Sequence, residues 1–368
     1  MIAYLVVFLA AAVTTFSVTP LVRRLVIRWG AVAQPSDRKV HPVAAPTMGG
    51  LAMFAGFLVA MGVSRFLPFF SDMNHGSPEP LAAVVTCSLM VALGVVDDKR
   101  EISALAKLTA QIFIAGVLIL VGVQVVYFWL GPGPGIVIVS SDLAVPLTIA
   151  WVVAVCNAVN LVDGLDGLAA GMVGIAAVAF FVYMVRTPGI FGLASSSGLL
   201  SSITAGVCLG FLPWNFHPAK IFMGDTGAMF LGMLLAIATI SGSARNGLRP
   251  VTGDLAVLAI PILTPLLVLF VPFLDVGLAI VRRVHRGQGI GSADKEHLHH
   301  RLMDIGHSHR QAVLLMYLWT GLIAVSGLAV GFLNGRLVVG LVVLAAIVLF
   351  LVTALPRLTE RPAAGPRS

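Results

Sequence analysis

The chain has 368 residues, 58% of them hydrophobic and only 11% charged, with a mean hydropathy of +1.00. These values exclude a soluble globular domain and a disordered chain alike, and leave an all-α polytopic membrane protein. The net charge of +7 needs no nucleic acid to explain it, because loop asymmetry and anionic headgroups account for a basic membrane protein.

In chain order, about eleven apolar stretches approach the roughly twenty residues that cross a bilayer. They run over 2–22, 49–69, 80–96, 105–123, 143–159, 167–186, 198–214, 226–242, 255–281, 312–332 and 337–355. The first lacks a basic start and a small-residue cleavage site and is followed by Arg23 and Arg24, so it is expected to persist as a helix rather than be removed as a signal peptide. Cys87, Cys156 and Cys208 fall in apolar runs and read as small core residues, with no disulfide framework. No internal repeat is evident; one integral-membrane domain is expected over 1–356, with a short basic disordered tail at 357–368.

The polar segments lie between these stretches. SDRKVHPVAAPTMGG (36–50) sets Asp37, Arg38, Lys39 and His41 before a glycine-containing helix start. They suit a lipid phosphate, or simple basic anchoring at the surface. VVDDKREISALAKLTAQ (95–111) carries the adjacent carboxylates Asp97 and Asp98. Such a pair suits Mg²⁺ or general base work, or is a solvated helix end partnered by Lys99 and Arg100. Lys107, a little further on, can reach back to those carboxylates or to a substrate phosphate. VQVVYFWLGPGPGIVIVSS (123–141) places β-branched residues on both sides of a Gly/Pro turn, the pattern of a short hairpin outside the membrane.

AVNLVDGLDGLAAG (158–171) interrupts two spans with Asn160, Asp163 and Asp166. The three-residue spacings of Asn157 with Asn160 and of Asp163 with Asp166 let helical or turn geometry point each pair one way. Their amides and carboxylates suit a base or sugar edge, although Asn, Asp and Gly are also ordinary turn residues. FHPAKIFMGDTGAMFLG (216–232) puts Asp225 between glycines before a helix, as a hard oxygen ligand near a phosphate or as a plain N-cap. SADKEHLHHRLMDIGHSHR (292–310) holds His297, His299 and His300 in a basic loop. HxHH without a cysteine is not a closed zinc spacing; imidazoles beside basic residues fit a diphosphate better, or the segment is simply a wet cytoplasmic loop.

If the first helix runs from outside to inside, the inner segments collect most of the Lys and Arg, and only Arg65, Arg186, Arg245, Arg249 and Arg336 fall outside. The positive-inside rule then puts the N-terminus outside and the C-terminus in the cytoplasm. Eight of the nine histidines, all but His75, and the carboxylates at 97–98, 163, 166, 225, 275, 294 and 296 follow the basic residues inward. A secondary transporter of an anionic solute is the competing class, but it places its charges near the midplane on related repeats.

Taken in order, the DRKxHxxPxPxxGG-like loop, VVDDK, NxxNLxDGLDGLA, FMGDTGxxFLG and HLHHRL resemble the polyprenyl-phosphate N-acetylhexosamine-1-phosphate transferases, the MraY/WecA superfamily, over nearly the whole chain. Ala44 and Ala45 depart from a proline often found before Pro46. The resemblance implies transfer of GlcNAc-1-phosphate from a UDP-sugar to undecaprenyl or decaprenyl phosphate. It also implies release of UMP at the cytoplasmic face of a bacterial inner membrane, with Mg²⁺ (Mn²⁺ substituting) as cofactor, and is compatible with a homodimer. It implies catalytic roles for Asp97, Asp98, Asp225 and His297, with Asp98 and Asp225 on the metal. Substrate contacts fall to Lys39, His41, Lys107, Asn157, Asn160, Asp163, Asp166, His299, His300 and Arg301. HLHHRL resembles the WecA/TagO-like branch, which uses UDP-GlcNAc; the Pro-x-His-His-His-x-Glu pattern of the UDP-MurNAc-pentapeptide branch is absent.

Overall fold

The structure is a computed structural model and describes residues 1–33, 45–125, 127–129, 136–187, 192–243, 303, 306–332 and 335–359. Among these, helices dominate, as the bilayer demands of backbone polar groups that water cannot reach. The first, α1 (Ile2–Arg28), outruns the expected 2–22 because nothing in the basic segment after residue 22 breaks a helix, and cations in a last turn favour one. Gly30, at φ +70°, turns the chain out. Strands β1 (Val32–Ala33) and β2 (Ala45–Pro46) then pair antiparallel, Val32 against Pro46, and deliver the chain to α2 (Gly50–Phe66).

The expected span 49–69 is broken. After Phe66 the chain bends by 90° into a 3₁₀ turn, Pro68–Phe70, and α3 (Ser71–Gly76). Pro68 is the cause in sequence: it supplies no N–H to continue the ladder and disfavours helical geometry at Leu67, which is extended with ψ 116°. Next come α4 (Glu79–Arg100) and α5 (Ala104–Leu120), joined through Glu101 in the left-handed region and capped by Ser103, whose hydroxyl accepts from the Ala106 amide. The expected hairpin is present as β3 (Tyr127–Trp129) and β4 (Ile136–Ile138), paired antiparallel with Phe128 opposite Val137.

The remaining described helices are α6 (Ser141–Val162), α7 (Leu168–Arg186), α8 (Ser196–Asn215), α9 (Gly224–Ser243), α10 (His309–Phe332) and α11 (Gly335–Thr359). Seven described helices are long and apolar enough to cross a membrane, eight if α2 and its bent continuation count as one, while α5 and α11 offer shorter apolar segments. The stretch 255–281 lies outside the described residues. Several helices run a few residues beyond the apolar stretches that announced them, because a helix does not stop where the hydrocarbon does. The last continues through 357–359, and 360–368 lies outside the described residues.

Helices α8 and α9 form the centre. Helices α1, α2 and α7 pack on α8, and α2, α4 and α6 pack on α9. Without a hydrophobic drive between helices in lipid, close approach by small residues holds such a bundle together. At Gly210 of α8 an added Cβ would sit 2.2 Å from the Ala12 carbonyl of α1. The ends of α4, α6 and α8 and the starts of α2, α5, α7, α9 and α10 meet at one end of the bundle, opposite the hairpin, and the polar motifs gather there.

Candidate active site

The site is built on the first turn of α9. Gly224 stands at φ +69° and turns the chain into the helix. An added Cβ at Gly94 of α4 would meet the Thr226 Cα at 2.4 Å, and one at Gly50 of α2 would meet the Gly227 amide nitrogen at 2.2 Å. Two helices therefore lie against the start of α9, backbone to backbone. The segment before it is strapped to the start of α2: the Phe222 amide donates to Pro46 O at 2.8 Å, and the amides of Gly49 and Gly50 donate to Phe222 O and Met223 O at 2.8 and 3.0 Å.

The free amides of that first turn go to Asp98. One carboxylate oxygen accepts the Asp225 amide at 3.0 Å and the Thr47 hydroxyl at 3.4 Å; the other accepts the Thr226 amide at 3.1 Å and the Thr226 hydroxyl at 2.6 Å. Asp98 thus caps α9 from another helix, an anion where the helix start favours one. Asp225, which local sequence offered as an N-cap, is left free of that task.

Asp225 faces Asp97, Lys107 and Asn160. Lys107 Nζ reaches back from the first turn of α5 to Asp225 Oδ2 at 2.9 Å and to Asp97 Oδ2, while Asn160 at the end of α6 donates to Asp225 Oδ1. Asp97 is buried, and its other oxygen accepts the Ile102 amide at 3.1 Å, fixing the α4–α5 turn. One turn earlier on the same face of α6, Asn157 donates to Gln111 of α5 at 2.6 Å, and Gln111 lies 3.5 Å from the Met229 sulfur of α9. Two carboxylates aimed at one ammonium make a position that a divalent cation fits, with Lys107 as its stand-in here.

Asp163 and Asp166 do not share a helix face, because α6 ends at Val162 and the chain turns before α7 begins at Leu168. Asp163 is the half-buried residue that follows α6. Buried Asp166 accepts from His217 Nδ1 at 2.8 Å and from the Ala219 amide at 3.1 Å, and its own amide donates to His309 Nε2 at 3.2 Å. The two imidazoles stack with centroids 4.2 Å apart. Asn215 accepts the Gly167 amide at 3.1 Å, and the Tyr317 hydroxyl donates to Gly167 O at 2.5 Å. The turn between α6 and α7 is therefore tied to α8 and α10 as well.

Asp166, His217 and His309 also bring one ligand atom each within 4.8 Å of one another. The His309 lone pair is spent on an amide, and nearly parallel rings, 22° apart, do not aim their nitrogens at one point. This trio reads as a structural tie; the Asp97–Asp225 pair suits a cation better.

The family model of glycosyl transferase family 4 matches residues 80–243. A decaprenyl-phosphate N-acetylglucosaminephosphotransferase of Mycobacterium leprae is 42% identical to the chain over 96% of this chain and 90% of its own length. The chain belongs to glycosyl transferase family 4. A probable undecaprenyl-phosphate N-acetylglucosaminyl 1-phosphate transferase of Bacillus subtilis is 37% identical over 86% of this chain and 82% of its own. A phospho-N-acetylmuramoyl-pentapeptide-transferase of Desulforudis audaxviator is 34% identical, over 64% of this chain and 74% of its own.

The family 4 match begins in the first turn of α4 and ends with α9, so it encloses Asp97, Asp98, Lys107, Asn157, Asn160, Asp163, Asp166 and Asp225. Lys39, His41, His297, His299, His300 and Arg301 lie outside the described residues. Sequence reasoning did not single out Thr47, Gln111, Asn215, Thr226 or Tyr317. Only Thr226 carried a local signal, as a hydroxyl residue in the first turn of a glycine-led helix; the others act across more than forty positions of chain.

Proposed function

We propose that the chain transfers GlcNAc-1-phosphate from UDP-GlcNAc to decaprenyl or undecaprenyl phosphate at the cytoplasmic face of a bacterial inner membrane. The observation that carries this reading is the 42% identity, across 96% of the chain, to a protein named for that reaction. The lipid phosphate oxygen forms a bond to the phosphorus bearing the sugar; the bond from that phosphorus to the bridging oxygen breaks, and UMP leaves with that oxygen. Donor diphosphate and acceptor phosphate are both anions, so the first demand on the protein is to bring them together against their repulsion.

Asp97 and Asp225 would hold Mg²⁺, which neutralises diphosphate charge and orients the reacting phosphoryl group. Lys107 supplies a second cation beside them, able to take a phosphate oxygen. Asn160 holds the Asp225 carboxylate in place, and Asp98 fixes the first turn of α9 that carries it; this moves Asp98 from the metal to a positioning role. Asp163 and Asp166 belong to the nucleotide side of the site, and the loop with His297, His299, His300 and Arg301 to the diphosphate and sugar. Lys39 and His41 belong to the lipid phosphate.

The test is purified protein in detergent with Mg²⁺ and decaprenyl phosphate, offered UDP-GlcNAc and UDP-MurNAc-pentapeptide in separate reactions. UMP and a lipid-linked GlcNAc diphosphate are expected from the first alone. Lipid product from the pentapeptide nucleotide alone would refute the reading, and UMP release from neither would return the transporter.

A further inference from the structure

Four of the six carboxylate oxygens of Asp97, Asp98 and Asp225 are already committed to neutral donors. Asp98 spends both oxygens on the start of α9 and Thr47. Asp97 Oδ1 holds the Ile102 amide, and Asp225 Oδ1 holds the Asn160 amide. What remains for a cation is Asp97 Oδ2 and Asp225 Oδ2, and both are on Lys107 Nζ. The Lys107 side chain is 18% exposed, against 5% for Asp97 and 32% for Asp225, so Asp97 forms the inner side of the position, Asp225 its open side, and the ammonium lies between them.

A second cation cannot join this arrangement unchanged. A divalent ion bridging the two oxygens would occupy the space of Nζ, and the two positive charges would repel at contact distance in a setting that screens poorly. The lysine stem begins in the first turn of α5 and can swing without moving a helix, whereas Asp97 and Asp225 are pinned by the amides named above. We infer that the Lys107 ammonium is the resident counter-ion of the divalent-cation position, so that the metal enters by displacing it from Asp97 and Asp225, and the freed ammonium turns to the donor diphosphate. The inference rests on the transferase reading for the identity of that diphosphate, but not for the exchange itself.

Two consequences follow from the exchange. Without nucleotide the protein holds a divalent ion more weakly than its two carboxylates alone would, since the ion competes with an internal cation. A diphosphate that draws the ammonium away removes the competitor, so metal and donor strengthen each other's binding by the same factor.

The test is Mn²⁺ binding to the purified full chain in detergent, read by electron paramagnetic resonance with no nucleotide present. Lys107→Gln is expected to bind Mn²⁺ at least about tenfold tighter than wild type, which is about 1.4 kcal/mol, and Lys107→Arg, which keeps the charge, to stay within about threefold of wild type. Lys107→Met takes the place of the Gln variant if that one is not monodisperse. Equal or weaker affinity in the neutral variant overturns the inference, as does equal tightening in Lys107→Arg, which would mean relief of packing rather than of charge. Adding Asp225→Asn to the neutral variant should abolish the tight binding; its persistence would also overturn the inference. UMP release by wild type is scored on the same preparation: its absence, with the Mn²⁺ order as expected, removes the transferase reading and leaves the exchange standing.

Discussion

Asp98→Asn separates a positioning carboxylate from a metal ligand. The carboxylate receives two backbone amides, at 3.0 and 3.1 Å, one on each oxygen, together with two hydroxyls. An asparagine has one acceptor oxygen, so in either amide orientation an NH₂ group confronts a backbone N–H of the first turn of α9. One buried donor without an acceptor costs about 1–3 kcal/mol, and losing the anion at a helix start costs about 0.3–1 kcal/mol more. The expected loss is therefore about 1–4 kcal/mol, a drop of roughly 2–5 °C in melting temperature when the unfolding entropy scales with a chain of this length. Asp225 rides on the same turn, so the rate should fall about 10- to 100-fold. The assay pairs melting in detergent with Mn²⁺ titration of the folded protein. Asp98→Asn should melt early yet still bind Mn²⁺, more weakly than wild type but better than Asp225→Asn. Wild-type melting together with complete loss of Mn²⁺ binding would refute the capping argument and return Asp98 to the metal.

Asp225→Asn and Asp97→Asn should each lower the transfer rate at least about a hundredfold without changing the membrane topology, and excess chelator should silence the wild type; turnover that persists in chelator would sink the metal assignment. Gly94→Ala sets a Cβ 2.4 Å from the Thr226 Cα, a contact with backbone that cannot step aside, so overpacking of about 1–3 kcal/mol is expected as earlier melting with loss of activity. Unchanged melting would show that α4 can slide on α9. A cysteine introduced at position 246 should label from outside intact cells and one at position 288 only after the inner face is opened, against a quiet background because Cys87, Cys156 and Cys208 are buried; the reverse pattern would invert the orientation.

The cluster of Asp97, Lys107, Asn160 and Asp225 was legible in sequence because each member stands at a helix end, where an apolar run makes a polar residue conspicuous. The pairing of Asn157 with Asn160 on one face of α6 was legible for the same reason, since the helix continues through both and the three-residue spacing holds. For Asp163 and Asp166 the identical spacing falls in the turn after the helix has ended, and Asp166 takes its partners from the segment after α8 and from the start of α10. The break after Phe66 was readable in Pro68 but was overridden by the apolar run around it. The role of Asp98 was not readable at all: its partners lie 51, 127 and 128 positions away, and no local pattern distinguishes a carboxylate that will cap a distant helix from one that will bind a metal.

The division of labour between Asp97 and Asp98 follows from helix geometry. Adjacent residues on a helix point about 100° apart, so the two carboxylates cannot both face one cation from the same turn of α4. Gly94, lying against Thr226, sets which way that turn is rotated. In that rotation Asp98 meets the amides of α9, while Asp97 faces Lys107 across the α4–α5 turn. A negative charge beside a helix start is already compensated by the amides it receives. The uncompensated charge is therefore that of Asp97 with Asp225, two carboxylates against one ammonium, and this excess gives a divalent ion a reason to enter where a lysine already stands.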